Sequence, residues 1–220
     1  ENGFIPDADD VQRVAEQFES EVWPAVIDVF GTPLKPGVDG DGDGDGDERM
    51  VVYTTVLRTG VAGYFSAADS YSSEIRPNSN QRVALYMSAN RVRFTGDGYL
   101  SVIAHELQHA THFATDSSEN SWVNEGLSEM AAEIAGFVRS ATSAFVRVPS
   151  TSLTAWAQDI SLSSANYGAA NLFFAFIATH YGGYEMLTAI AQDQLDGLAS
   201  IDSALATQGF NVTANDVYAD

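Results

Sequence analysis

Ala104-His105-Glu106-Leu107-Gln108-His109-Ala110-Thr111-His112-Phe113 and, eight residues on, Trp122-Val123-Asn124-Glu125-Gly126-Leu127-Ser128-Glu129 are the two stretches on which the fold turns. Helical spacing runs through both. At about 100° per residue, His105 and His109 stand about 40° apart on one face, one turn along. Glu125 and Glu129 repeat the same spacing. Sixteen residues separate His109 from Glu125, room for one turn and an antiparallel second helix. The expectation is a pair of facing helices, His105 and His109 on one, Glu125 and Glu129 on the other. Gly126, with no side chain, is expected to let these two helices approach closely.

Outward from this pair, the chain divides into a strand-forming and a helical part. Asp7 to Phe30 reads as a helix, with Val11, Val14, Ala15, Phe18, Val22 and Val26 at spacings of three and four. Asp7, Asp9 and Asp10 suit its positive end, and Pro24 marks a kink. Met50–Leu57 and Val61–Ser66 read as strands joined as a hairpin at Thr59-Gly60, and Arg82–Ser88 as a third. Ala67–Gln81 reads as a loop. Helices are predicted for Tyr99–Ala114, Ser121–Ser140 and about Ser164–Tyr181, then shorter ones to Gln208. A small sheet followed by helices indicates an α+β fold. The expectation is one domain over 1–220. Residues 1–115 then hold the first helix, the sheet and the His105–His109 helix, and 116–220 form a helical lobe carrying the glutamates.

Composition narrows the function. The 220 residues hold 30 Asp plus Glu against 10 Lys plus Arg, a net charge of −20. Lys35 is the only lysine. Such a field repels phosphate backbones and anionic bilayers, so nucleic acid and membrane surfaces are not expected partners. No stretch is long enough for a membrane span; Ala165–Thr179, the longest apolar run, reads as a buried helix. No cysteine is present, which excludes disulfides, thiolate metal sites and cysteine nucleophiles. The acidity reads either as simple solubility or as life in high salt or outside the cell. Asp39–Asp47 alternates Asp with Gly. It reads as a solvated loop, with a calcium turn as the alternative, since alternate aspartates offer hard oxygen ligands. The full twelve-residue calcium loop fails, because position 12 counted from Asp39 is Met50.

Chemistry concentrates in His105-Glu106-Leu107-Gln108-His109. With 4 histidines in the chain, chance production of H-E-x-x-H is on the order of one in a few hundred. Two imidazoles on one helix face can share a tetrahedral Zn²⁺, which in a catalytic site takes three protein ligands and keeps one position open. Glu125 is the expected third ligand. Glu129 is expected to fix a histidine's far nitrogen. Glu106, rotated by about 100° from His105, can reach a water on the metal and act as general base. His112 lies about 10.5 Å along the helix from His105, too far to share the ion, and reads as a packed or bonded histidine. An oxyanion donor is sought on the Ser164–Tyr181 helix. Tyr167 and His180 are the two candidates, and thirteen residues put them on different faces, so only one can face the metal.

H-E-x-x-H followed by N-E-x-x-S-E resembles the gluzincin metallopeptidases, the thermolysin-like group. A-H-E-L-Q-H-A-T-H-F with W-V-N-E-G-L-S-E-M is similar to the hyicolysin family of secreted neutral metallopeptidases. So are G-Y-F-S-A-A-D-S-Y, S-N-Q-R-V-A-L-Y-M and N-Y-G-A-A-N-L-F, and the likeness covers roughly residues 50 to 180. The resemblance implies an extracellular zinc endopeptidase acting on protein or peptide substrates. His105, His109 and Glu125 would hold the metal, Glu106 would be the base, and a tyrosine early in a later helix, here Tyr167, would assist. The Asp-Gly run is an insertion relative to that pattern. The competing readings are an extracellular adhesion module with a structural zinc site, and an aminopeptidase, for which no motif stands out.

Overall fold

The computed structural model describes residues 6–34, 50–138, 141–156 and 163–219. The Asp39–Asp47 run, with its calcium alternative, lies outside them. The first helical segment begins at Asp7, whose carboxylate accepts the Asp10 N–H at 2.8 Å, the expected N-cap contact. Helix α1 (Ala8–Gln17) passes through a π-helical turn, Phe18–Val22, into α2 (Trp23–Phe30). The widened turn has a local cause. Pro24 has no N–H for the Ser20 carbonyl, and the ladder shifts to a Trp23 N–H to Phe18 carbonyl bond instead. Gly31, at φ 81°, ends the helix.

Strands β1 (Val51–Thr55), β2 (Gly63–Phe65) and β3 (Ala84–Ser88) form one sheet in the order β1-β3-β2. The expected β1–β2 hairpin is therefore wrong. β3 runs parallel to β1 and antiparallel to β2, and sits between them. The reason lies in burial. All five residues of β3 are buried, so it is the strand that needs a neighbour on each edge. Tyr53, Tyr86 and Tyr64 are in register across the sheet. Their rings stack at 5.4 and 4.6 Å on one face. Leu85 and Met87, on the other face, join the core.

All described structure after the sheet is helical: α3 (Asp97–Thr115), α4 (Ser121–Ile134), α5 (Ala141–Arg147), α6 (Ser164–His180), α7 (Tyr184–Gln192), α8 (Leu198–Thr207) and α9 (Ala214–Ala219). The architecture is α+β. Helix α4 stops six residues short of the expected Ser140. Gly136 adopts φ 92° and the Phe137 N–H turns back to the Ala132 carbonyl at 3.0 Å, closing the end. Helix α3 is the central element. Tyr99, Leu100, Ile103, Ala104, Leu107 and Ala110 are all buried along it, and it packs against α2, α4, α7 and the sheet. Among the described residues, no helix is long and apolar enough to cross a membrane.

Gly126 corrects another expectation. A Cβ built there would lie 2.5 Å from the Phe174 ring and 3.0 Å from the Ala170 Cβ, both on α6. The missing side chain therefore lets α4 approach α6, not α3. This contact sets the distance between Glu125 on α4 and Tyr167 on α6.

Candidate metal centre

His105 and His109 project from the centre of α3 toward α4, where Glu125 and Glu129 meet them. Three atoms converge. His105 Nε2 lies 3.1 Å from Glu125 Oε2, His109 Nε2 lies 3.4 Å from the same oxygen, and the two Nε2 atoms are 3.2 Å apart. Each of these atoms is a lone-pair donor when the rings are neutral, so their convergence asks for a positive charge between them.

The remote sides of both rings are held. His109 Nδ1 donates to the Asn124 side-chain carbonyl and also lies 3.0 Å from Ser128 Oγ. His105 Nδ1 stands 3.1 Å from Glu129 Oε1, in ion-pair contact but off the ideal hydrogen-bond line. Carbonyl and carboxylate oxygens can only accept, so both protons belong on Nδ1 and both Nε2 atoms face the cluster. That is how metal-binding histidines are usually oriented. Buried His105 and half-buried His109 and Glu125 can thus hold a metal ion.

The titration behaviour without an ion carries the same message. Burial opposes charging of His105, but Glu125 and Glu129 outweigh it and raise its pKa to about 10. His109 is likewise raised by Glu125 against the effect of burial. Glu125 itself, despite burial, is held well below the ordinary carboxylate range by His109 and His105. Protons supply the positive charge the cluster needs, and a metal would compete with them for the same atoms.

Glu106 is buried beside the cluster. Burial pushes its pKa up, against the lowering effect of the two histidines. Its Oε2 accepts the Phe65 N–H at 3.0 Å. That N–H is not spent on β3, so Glu106 lies along the open edge of β2. Tyr167 comes in from α6. Its ring lies 6.1 Å from His105 and 4.7 Å from Trp156. Burial, then the charges of Glu125, Glu106 and Glu129, raise its pKa, so the hydroxyl keeps its proton. His180 does not join them. It is exposed at the end of α6, its ring 4.3 Å from that of Phe176 and tilted by 41°.

Space lies on both sides of the cluster. A cleft of about 810 Å³ is bounded by His105, Glu106, Glu129 and Tyr167, with Arg91 and Arg147 also in its lining. A second hollow of about 340 Å³ reaches His109 and Glu125 past Phe65, Phe113 and Asn124. The structure therefore brings together His105, Glu106, His109, Glu125, Glu129 and Tyr167, and leaves His180 outside.

Sequence reasoning missed Asn124, Ser128 and Gln108. Ser128 Oγ donates to Gln108 Oε1 and so ties α4 to α3 behind His109. The helical spacing of Asn124 and Ser128, four apart, was the available signal. The Phe65 N–H had none, because a backbone donor leaves no mark in side-chain pattern. No family model matches the chain, and no curated protein matches it significantly.

Proposed function

We propose that the chain is a zinc endopeptidase of the gluzincin type, with His105, His109 and Glu125 as the metal ligands. One observation carries the reading. Zinc bonded at 2.0–2.1 Å to tetrahedral ligands needs neighbouring ligand atoms about 3.3–3.4 Å apart. The three atoms here are separated by 3.1, 3.2 and 3.4 Å. The donor set, two imidazoles and a carboxylate, also fits that metal. An open cleft beside three ligands favours catalysis over a structural site, which would close the shell with a fourth ligand.

Bound zinc would polarise a peptide carbonyl and bring the pKa of a coordinated water to around 7. The remaining work falls to the chain. Glu106, its Oε2 pinned by the Phe65 N–H, has Oε1 left to take a proton and later return it to the departing amine. Its upward pKa shift brings it nearer the operating range of a general base. Glu129 and Asn124 hold the two imidazoles in the required tautomer. Tyr167, kept protonated, can donate to developing negative charge on the carbonyl oxygen. An extended peptide can pair with the open edge of β2 and so pass through the cleft. The acidic, cysteine-free composition is compatible with action outside the cell.

Glu106→Gln is the direct test. Gln keeps the volume and cannot accept the proton. The variant is expected to retain one zinc at this centre and to cleave an unfolded protein substrate about 10²–10⁴-fold more slowly. Cleavage at an undiminished rate would remove Glu106 from the role of base.

A further inference from the structure

One turn beyond His109, α3 carries a second set of metal-binding side chains. His112, Asp116 and Glu119 each offer one ligand atom, and these atoms lie within 4.8 Å of one another. His112 and Asp116 are buried, at 1% and 6% exposure. Among the described residues, His112 Nε2 and Asp116 Oδ2 are shielded from solvent and have no hydrogen-bond partner. Leaving such atoms unpaired costs on the order of 1–3 kcal/mol each, more for a charged one.

The geometry points to a second divalent-cation site at His112, Asp116 and Glu119, separate from the catalytic centre and binding a transition metal of the zinc type. Three features favour this over an accidental cluster. First, the ligands are held in place. Asp116 caps α3, its N–H on the His112 carbonyl at 2.7 Å, while its Oδ1 accepts the Ser118 N–H and hydroxyl at 2.9 Å each. That leaves Oδ2 alone to serve the cluster. Secondly, Glu119 is anchored from another part of the chain. It accepts the Gly197 N–H at 2.7 Å and the Ser200 hydroxyl at 3.1 Å, at the start of α8, and the Asn120 N–H. Three donors leave a carboxylate at least one lone pair.

Thirdly, the ring can take the ligand form, a neutral imidazole with its proton on Nδ1 and Nε2 left to the cluster. Gln108 Nε2 lies 3.3 Å from His112 Nδ1. With the amide turned over, its oxygen accepts an Nδ1–H and its nitrogen donates to the Ser128 hydroxyl, which can donate in turn to the Asn124 carbonyl at 3.0 Å. The Glu119 and Asp116 carboxylates come together in the same cluster, a repulsion that a cation between them would remove. One imidazole nitrogen with two carboxylates suits zinc or manganese better than calcium, which prefers oxygen alone. A cation here would tie the C-terminal end of α3 to the start of α8 through the α3–α4 connection. It would thus brace the base of the catalytic centre without touching it.

The test is metal stoichiometry on the full chain, which does not rest on the peptidase reading. Protein stripped with chelator and dialysed against Zn²⁺ is expected to hold two ions per chain by elemental analysis. Asp116→Asn should hold one and keep proteolysis within the range set by the catalytic zinc. His109→Gln should also retain one, and the Asp116→Asn/His109→Gln double variant none. The second ion should weaken in Asp116→Asn by more than the roughly 10–100-fold that loss of a supporting contact costs. His112→Gln is expected to match it. If that buried change prevents folding, Asp116→Asn decides alone, with its unfolding under chelator compared with the parent. Two ions retained in Asp116→Asn, or one in the parent and none in His109→Gln, would overturn the proposal. Calcium in place of zinc at this set would overturn the stated cation class. A parent with one ion that His109→Gln keeps and Asp116→Asn loses would uphold this site and sink the catalytic one.

Discussion

Tyr167 shows how much a single side chain carries here. Its ring is wedged between Trp156 and His105. The ring is thus fixed by packing, and burial with the nearby carboxylate charges keeps the hydroxyl protonated, which suits a rigid donor. Tyr167→Phe keeps the ring and removes only the donor. If the hydroxyl acts in the transition state alone, kcat and kcat/KM should fall together, by about 10²–10³. Steady-state kinetics on a peptide substrate would show this, and a rise in KM with kcat intact would assign Tyr167 to ground-state binding instead. At this scale the sequence was informative because metal chemistry restricts both residue type and spacing. His105, His109, Glu125 and Glu129 were readable from helical geometry. Asn124 and Gln108 were not, since amides serve many roles and only the neighbouring ring shows which. His112 was read as packed, and it is indeed buried. Its missing partner became visible only when the loop through Asp116 and Glu119 was placed beside it.

Elements, rather than residues, determine whether these side chains meet. The α4–α6 contact at Gly126 is the tightest example. A methyl group there would meet the buried Phe174 ring at 2.5 and 2.6 Å. Neither helix can yield without moving Glu125 or Tyr167. Overpacking of this kind costs about 1–3 kcal/mol, and better helix propensity of Ala returns about 1. Gly126→Ala is therefore expected to destabilise the protein by roughly 1 kcal/mol, about 2–4 °C in Tm for a chain of this size. Metal affinity should fall with it. Thermal unfolding with and without zinc measures both, and Phe174→Leu in the same chain should recover part of each. An unchanged melt would mean that α6 slides freely past α4. The helices were legible from apolar spacing, and α3, α4 and α6 lie where expected. Strand pairing was not. Periodicity marks each strand, but a central strand is recognised by burial on both faces, and the eighteen residues between β2 and β3 let β3 reach between β1 and β2. Likewise, the partner of Gly126 could not be read from one helix, because a glycine marks a close approach without naming what approaches.

Across the whole molecule, charge sets which partners the surface draws. At −20, the surface repels acidic peptides and draws cationic ones. Within the cleft the balance changes. Arg91 and Arg147, two of only 10 cationic residues, line it beside Glu106 and Tyr167. Both are exposed, and among the described residues neither forms an ion pair. On the proposed reading, two arginines in the cleft with no acidic partner among the described residues can serve a carboxylate of the bound peptide. If the centre is a peptidase, peptides with Glu near the scissile bond should be cleaved in preference to matched peptides with Gln. Exposed charge pairs are each worth about 0.2–1 kcal/mol. Removing both, as Arg91→Ala/Arg147→Ala, should therefore lower kcat/KM for the acidic peptide roughly 2- to 30-fold. The Gln peptide should be almost unaffected. Added salt should erode the preference in the parent, since the Debye length falls from about 10 Å at 0.1 M to about 3 Å at 1 M. The Glu-to-Gln ratio, measured in both proteins at both salt concentrations, tests the argument. A ratio that the double variant leaves unchanged would show that the two arginines face the solvent rather than the bound peptide.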